Sequence, residues 1–217
     1  DKISSSKNLL NNLPGGSEKL TSQSMDKTYA AAQRSRSSYT GMLANVGKTM
    51  TLAGDSFQNN VDNAIRFQEI MAKAYTGGGA SATEADTSMY QLVQALGSGI
   101  LQGDELRSVR EGAPIAYKEI EKFAQGVLNT EESLKELASQ GVITSDIVVA
   151  AIMGAEEKIN TSFKNTNMTF AQAWDKIKNM TTKAFEPVFA KLEKLLNSKG
   201  VQSAIDGIGT ALVALAN

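Results

Sequence analysis

The chain lacks the residue types on which many catalytic and metal sites depend. Its 217 residues include no cysteine and no histidine. Disulfides, thiol nucleophiles, and general bases or metal ligands supplied by histidine are therefore excluded from these residues. Proline occurs only 3 times and aromatic residues make up 6%, so a core must rest mainly on Ala, Leu, Ile, Val and Met. Because helices accept small residues at little entropic cost, this composition favours an all-α fold without a sheet.

The chain also lacks a strong charge of either sign and a long apolar run. Lys and Arg total 22 against 23 for Asp and Glu, which gives no electrostatic footprint for nucleic acid. No run reaches the roughly 18 apolar residues of a membrane-spanning helix, and the start, DKISSSKNLL, has no signal-peptide core. Because the chain begins at Asp1 without Met and stops inside an apolar pattern, ALVALAN, we expect a fragment of a longer polypeptide.

Residues 1–24 are rich in Ser, Asn, Lys and Gly, with a turn signal at Pro14-Gly15-Gly16. We expect a flexible lead to upstream sequence here. The alternative is a short helical turn that docks through Leu9, Leu10 and Leu13.

Residues 25–75 carry a long helical pattern, which predicts a helical hairpin or a coiled-coil-like segment. Apolar or small side chains recur at steps of three or four residues, as in a helix-pairing seam. The break signal Ala53-Gly54-Asp55-Ser56 predicts two helices, with Asp55 or Ser56 capping the second. The seam either packs on its own domain or pairs with other copies of the chain. Its residues are Tyr39, Leu43, Val46, Met50, Ala53, Phe57, Val61, Ala64, Gln68 and Met71.

Residues 76–168 predict a compact core of short helices joined by tight turns. Ser81 and Glu84 form a capping box at the start of one helix. We expect Gly103 to stop that helix, Asp104 to cap the next, and Pro114 to begin a third.

Two further short helices follow in this core. Thr130 with its neighbouring glutamates is predicted to open one of them, and Gly141 to end it. Thr144 is predicted to cap the next.

Residues 169–217 predict long amphipathic helices. A capping box from Thr169 to Gln172 opens a helix from about Phe170 to Leu196. We expect Trp174 to be a core anchor, with an assembly interface as the alternative. A second seam follows Gly200 and is expected to pack on the module, with a membrane-active segment as the alternative. It consists of Val201, Ile205, Ile208, Leu212 and Leu215.

One charged cluster invites a catalytic interpretation. A helical glycan-cleaving enzyme needs a carboxylic acid with a raised pKa in a cleft, and Glu105 fits that local context. However, Asp104 and Glu105 at a helix start beside Arg107 and Arg110 are also the ordinary arrangement for capping and ion pairing. We favour the structural interpretation and assign no catalytic, cofactor-binding or metal residue.

The helical periodicity also predicts which side chains form the core. They are Leu92, Leu96, Ile100, Leu106, Ile120, Phe123, Leu137, Ile152, Trp174 and Val188.

Three motifs stand out along the chain. The most specific is Q-A-L-x-S-G-x-L-x-G-D-E-L-R-S-x-x-E-x-x-P from Gln94 to Pro114. The others are ELASQGVITSD from Glu136 to Asp146 and M-T-F-x-Q-A-W from Met168 to Trp174. Together these motifs resemble the N-terminal conserved domain of phage tail tape-measure proteins, and the similarity covers roughly residues 30–200. The residues that carry it, which we interpret as structural, are Gln94, Gly99, Gly103, Asp104, Glu105, Leu106, Arg107, Glu111, Pro114, Gly141 and Trp174.

The resemblance implies a structural protein of a phage or prophage tail, which fills the tail tube during assembly and sets tail length. It implies other tail proteins (tube, tip or chaperone) and further copies of the chain as partners, and neither a cofactor nor a small-molecule substrate. It places the protein in the virion, and in the host cytoplasm during assembly. Since short helices and glycine turns dominate, we expect a folded module within a ruler protein rather than the extended ruler itself.

Two other functions stay open at this point. One is a cell-wall-degrading helical domain, similar to a lytic transglycosylase, with Glu105 as the acid. The other is an envelope-interacting module used in DNA ejection, whose membrane contact would involve only the C-terminal segment.

Overall fold

A computed structural model describes residues 2–203, apart from the side chains of Asp104 and Leu196. All of the elements named in this part of the chain are helices, with one isolated bridge between Ile100 and Thr144, so the predicted all-α fold is confirmed. The helices are α1 (Lys2–Asn11), α2 (Glu18–Ser35), α3 (Tyr39–Ala53), α4 (Val61–Gly77), α5 (Ala82–Ser98), α6 (Gly103–Gly112), α7 (Pro114–Leu128), α8 (Leu134–Ser139), α9 (Ser145–Gly154), α10 (Glu156–Lys164) and α11 (Phe170–Leu196), with a short 3-10 helix at Gly54–Phe57.

The chain divides into two compact units, Asp1–Asn179 and Met180–Asn217. The boundaries expected at residues 24, 75 and 168 all fall within the first unit and stay a prediction. Of the second apolar seam, only Val201 lies within the described residues, and the other four residues lie outside them. Within residues 2–203, each helix is too short or too polar to cross a membrane.

Helix α4 lies at the centre of the first unit. Helices α2, α3, α5, α7, α9 and α10 all pack against it. Its side chains Phe67, Ile70, Met71 and Tyr75 are almost wholly buried, which is what a helix surrounded by others requires. Helix α1, in the segment expected to be a flexible lead, packs against α3 and buries Ile3 and Leu10.

The seam of residues 39–71 packs inside the first unit, where all of its side chains except Val61 are buried. The break at Gly54 occurs as predicted, but the predicted cap at Asp55 or Ser56 is wrong. The 3-10 helix takes up these residues, and α4 begins only at Val61. Its N-cap is Asn60, whose side-chain oxygen accepts a hydrogen bond of 2.9 Å from the Asp62 backbone N–H.

Several predicted helix starts agree with the structure. Ser81 and Glu84 form the capping box of α5, and Thr144 caps α9 through the Ile147 backbone N–H. At the start of α11, the Gln172 N–H donates to Thr169 Oγ1 at 3.2 Å, and the Gln172 side chain accepts from the Thr169 N–H at 3.1 Å. These short-range signals therefore located the helix starts correctly.

The predicted core is correct at Leu92, Leu96, Leu106, Ile120, Leu137 and Ile152, which are all buried. It is wrong at four other positions, whose side chains are 41% exposed at Ile100, 38% at Phe123, 53% at Trp174 and 46% at Val188. Ile100 follows the end of α5, so the helical period no longer applies there. Phe123 lies beside the buried stripe of α7, and Trp174 lies on the side of α11 opposite the buried Asn179. Val188 belongs to the second unit.

A clasp joins the start of α11 to the corner between α2 and α3. The buried Asn179 side chain accepts a hydrogen bond from the Tyr39 backbone N–H at 2.8 Å and donates one to the Ser37 carbonyl at 2.7 Å. One amide thus serves a donor at the start of α3 and an acceptor in the preceding turn, where helix ends leave such groups unpaired.

Arg36 forms the other half of the clasp. It ends α2 in the left-handed conformation, with φ of 58°. Its guanidinium donates to the Thr166 carbonyl at 3.0 Å and lies 4.5 Å from the centre of the Phe163 ring. Residues far away in sequence therefore contact and stabilise the α2–α3 corner.

A close approach at Gly78 joins the end of α4 to the α6–α7 corner. A Cβ atom at Gly78 would lie 2.4 Å from the Gly112 carbonyl oxygen and 2.8 Å from Pro114 Cδ. Only a residue without a side chain fits this contact.

We expect Gly78→Ala to destabilise the fold by about 1–3 kcal/mol, because the methyl group would push against backbone that must shift. Gly126→Ala is the matched control, since Gly126 lies in α7 with no atom near its Cβ position. That change should stabilise by about 1 kcal/mol through helix propensity. Urea unfolding measures both, and equal effects of one sign would contradict the packing argument.

Asn179→Ala removes the two hydrogen bonds that the Asn179 side chain contributes to the clasp and should cost about 1–3 kcal/mol, because buried backbone groups lose a partner. Hydrogen exchange should increase at the start of α3 and in the first turns of α11. The exposed Asn167→Ala variant serves as the control and should change stability by less than about 0.5 kcal/mol. Unchanged exchange at Tyr39 in Asn179→Ala would disprove this role.

Candidate functional site: the motif corner and the outer face of α11

The residues from Gln94 to Pro114 form a corner, here called the motif corner, between α5, α6 and α7. Gly99 ends α5 in the left-handed conformation, with φ of 82°. The Ser98 hydroxyl reinforces this turn by donating to the Ile100 carbonyl at 2.7 Å. The prediction that Gly103 stops the helix is wrong, because Gly99 stops it four residues earlier and Gly103 is the first residue of α6.

Gln102 precedes α6 as its N-cap residue, without a side-chain capping bond. Asp104 is therefore inside the first turn of the helix, not at the predicted cap position.

A short backbone bridge ties the motif corner to the segment between α8 and α9. Ile100 and Thr144 form an antiparallel bridge, and the Leu101 N–H donates to the Ile143 carbonyl at 2.8 Å. The first and second motifs of the sequence are thus in direct contact.

Ser145 strengthens this junction. Its buried hydroxyl donates to the Leu96 carbonyl at 2.8 Å, and its backbone N–H donates to the Gly99 carbonyl at 3.1 Å. Both acceptors belong to the end of α5, where carbonyl groups lack partners within the helix. The sequence analysis missed Ser145, because only the capping role of its neighbour Thr144 has a local signal.

Helix α6 separates buried and solvent-facing motif residues. Leu106 and Val109 point into the core. On the outer side, the Arg107 Nε atom lies 2.9 Å from the Glu111 Oε1 atom, four residues along the helix. The pair is largely exposed, so its contribution to stability is small.

A cleft of about 370 Å³, here called the motif cleft, lies among α6, α7 and α8. It brings together four of the predicted motif residues, Gly103, Leu106, Arg107 and Glu111. The cleft is completed by Arg110, Tyr117, Lys135 and Ala138.

Basic groups dominate the motif cleft. Among the described side chains that line it, Arg107, Arg110 and Lys135 are positively charged and Glu111 is negatively charged. Desolvation and the nearby Glu121 carboxylate raise the pKa of Tyr117, although Arg110 opposes the rise. Of the two guanidinium groups, that of Arg107 is paired with Glu111.

Helix α8 supplies Lys135 to this cleft. The predicted opening of α8 at Thr130 is wrong, because Ser133 caps the helix in a capping box with Glu136. Hydrogen bonds from the Ser133 hydroxyl and backbone N–H lower the pKa of Glu136 below its ordinary value of 4.5. At the other end Gly141, with φ of 72°, turns the chain out of the helix.

The remaining motif residues lie on exposed surfaces. Gln94 is on the outer face of α5, where its side-chain amide donates to the Tyr90 hydroxyl at 3.3 Å. Glu105 is half-buried in α6, and Pro114 is the exposed first residue of α7. Trp174 is exposed on α11 together with Phe170 and Ile177.

A second cleft, of about 570 Å³, lies between the α2–α3 corner, the start of α5 and the first turns of α11. Asp86, Asp175 and Lys178 are among its lining residues, and Lys178 forms an ion pair with Asp175. Desolvation, followed by the negative charge of Asp175, raises the pKa of Asp86. Among the side chains that the structure describes, no group of three or more acidic residues is arranged to hold a metal ion.

Ser133→Ala should raise the pKa of Glu136 part of the way toward 4.5, because it removes the hydroxyl that donates to the Glu136 carboxylate and leaves the backbone N–H of residue 133 as a donor. The sign follows from the lowered pKa. The capping box stabilises α8 above the ordinary pKa of Glu136 and loses this effect as the pH falls through its folded-state pKa. NMR titration of the Glu136 carboxyl measures the change, with Glu84 in its intact capping box as the internal control. An unchanged titration of Glu136 would contradict this prediction.

Comparison with known proteins gives one match. A family model described as "Tape measure protein" matches residues 1–190, which is most of the chain. No curated protein matches, and no solved structure does. The match spans all three motifs, the motif corner and most of α11. The chain belongs to the tape measure protein family and is thus a structural component of a phage tail.

Proposed function

We propose that this chain is a folded module of a tape measure that takes part in tail assembly and in setting tail length. The family match over residues 1–190 is the observation that carries this proposal. Its partners are other tail proteins (tube, tip or chaperone) and further copies of the chain, and it works in the tail after assembly in the host cytoplasm.

The fold suggests how such a module contributes. An extended helix adds about 1.5 Å of length per residue. Residues folded into short packed helices add far less, so we propose that this module fixes one end or contact point of a ruler rather than measuring length itself. The motif residues have a structural role in this proposal, since the turn at Gly99 and the buried Leu106 hold α5, α6 and α7 together.

The proposed work is protein–protein contact rather than catalysis. Glu105, the acid considered in the sequence analysis, lies in α6. Its backbone carbonyl accepts a hydrogen bond of 2.9 Å from the Ser108 hydroxyl. Its neighbours Arg107 and Glu111 pair with each other. These contacts lie within α6 and stabilise that helix.

In a phage encoding this chain, we expect Leu106→Asp to abolish tails or broaden their length distribution, since a charge replaces a side chain that is only 2% exposed. Electron microscopy of particles measures tail number and length, and circular dichroism of the purified variant checks that the module has unfolded. Lys122→Ala, at an exposed position on α7, is the control and should give normal tails.

Two results would contradict the proposal. One is normal tails from a phage whose Leu106→Asp module is shown to be unfolded. The other is clearing on a cell-wall zymogram by the purified chain that disappears in Glu105→Gln, since this would assign catalysis to the motif corner.

A further inference from the structure

The first part of α11, here called the docked segment (residues 170–179), is bound to the first unit without burying its large apolar side chains. Asp175 and Asn179, which are 7% and 4% exposed, are its buried residues. Its large apolar side chains are mostly exposed, at 88% for Phe170, 53% for Trp174 and 51% for Ile177. Among the side chains that the structure describes, none of the apolar ones of α11 belongs to the core or packs against it. The hydrophobic effect therefore contributes little to this docking.

Hydrogen bonds hold the docked segment instead. The Asn179 side chain accepts a hydrogen bond from the Tyr39 N–H at 2.8 Å and donates one to the Ser37 carbonyl at 2.7 Å. The Gln33 side-chain amide donates to the Lys176 carbonyl across 3.5 Å, which is long for such a bond. When the segment separates, water takes the place of these partners, so each bond adds only a small net stability.

An open space lies along one side of the docked segment. Its residues Ala171, Gln172, Asp175 and Lys178 form one wall of the cleft of about 570 Å³, which the α2–α3 corner and the start of α5 also line. Atoms beside an open space lack partners there and lose the dispersion attraction of close packing. The docked segment is therefore loosely packed on the side of the cleft.

A short exposed linker joins α10 to the docked segment. Arg36 fixes the start of this linker, because its guanidinium donates to the Thr166 carbonyl at 3.0 Å. Residues 167–169, which follow, are exposed and lie outside any helix. Since backbone rotation in a few loop residues can move a whole helix, this linker is placed to act as a hinge.

We propose that the docked segment separates from the first unit as a whole, by rotation at residues 167–169, while α1 to α10 stay folded. This is a local opening with a smaller free energy than global unfolding. It removes one wall of the cleft and exposes the Tyr39 N–H and the Ser37 carbonyl to water. The inference concerns the chain alone and does not depend on the proposed tail function.

The Tyr39 amide reports the opening in the unmodified chain. Tyr39 is the first residue of α3, so its N–H has no acceptor within the helix, and Asn179 accepts its hydrogen bond. We expect its protection against hydrogen exchange to be at least about 100-fold below that of Ile70 and Met71 in α4. Low concentrations of urea should hardly change it, since the opening exposes little apolar surface. Equal protection and equal urea dependence at Tyr39 and Ile70 would overturn the proposal.

Distance measurements show which part of the chain moves. Because the chain has no cysteine, spin labels can be placed at chosen positions. Thr83→Cys with Ala171→Cys puts two labels at exposed positions on different walls of the cleft, one on α5 and one on the docked segment. Thr83→Cys with Lys122→Cys is the reference pair, within α5 and α7. Double electron–electron resonance should show one distance for each pair. Adding Asn179→Ala should give the first pair a second, longer distance and leave the reference pair unchanged.

Gly78→Ala is the matched control, since it disturbs a close approach between α4 and the α6–α7 corner rather than the docked segment. It should not produce the longer distance in the first pair. Three outcomes would overturn the proposal. They are a longer distance in both pairs with Asn179→Ala, in neither pair with Asn179→Ala, or in the first pair with Gly78→Ala. All of these measurements use the purified chain, so they are separate from the tail phenotype of Leu106→Asp.

Discussion

The first unit depends on the burial of α4 among its neighbours. Six helices pack against it, and side chains around its circumference, including Phe67, Ile70 and Tyr75, are almost wholly buried. Because hydrophobic burial is the main favourable term in folding, this central helix organises the positions of the others. The motif corner and the α2–α3 corner both sit on helices that touch α4, so the two surfaces most relevant to function share one support.

Glycine lets a core with few aromatic residues pack closely. A Cβ atom at Gly97 would lie 2.8 Å from the Leu52 Cβ atom, where α5 meets α3, and one at Gly112 would lie 3.0 Å from the Tyr75 ring. Interiors must fill their space at high density, and with few large side chains this is achieved by bringing backbones together. At Gly97 and Gly112, tighter packing therefore offsets the cost of glycine in helix propensity.

The sequence predicted features that depend on neighbouring residues. Capping boxes at Ser81 and Thr169 and the break at Gly54 follow from local hydrogen bonding and backbone preference, so a short stretch contains all the information. The bond from Ser145 to the Leu96 carbonyl and the clasp at Asn179 join distant segments, and no local pattern specifies them. Trp174 shows the same limit in another form. Periodicity identified the apolar side of α11, but it does not specify whether that side faces the core or the surroundings.

The clasp also has a consequence for the order of folding during synthesis. Its hydrogen bonds join residues 130 positions apart at Arg36 and Thr166, and 142 apart at Ser37 and Asn179. At ribosomal rates of roughly 5–20 residues per second, the α2–α3 corner is therefore synthesised on the order of ten seconds before Thr166 and Asn179. During that time the helices already synthesised can pack on one another without the clasp. The first turns of α11 thus take their position only after the helices that they contact have been synthesised.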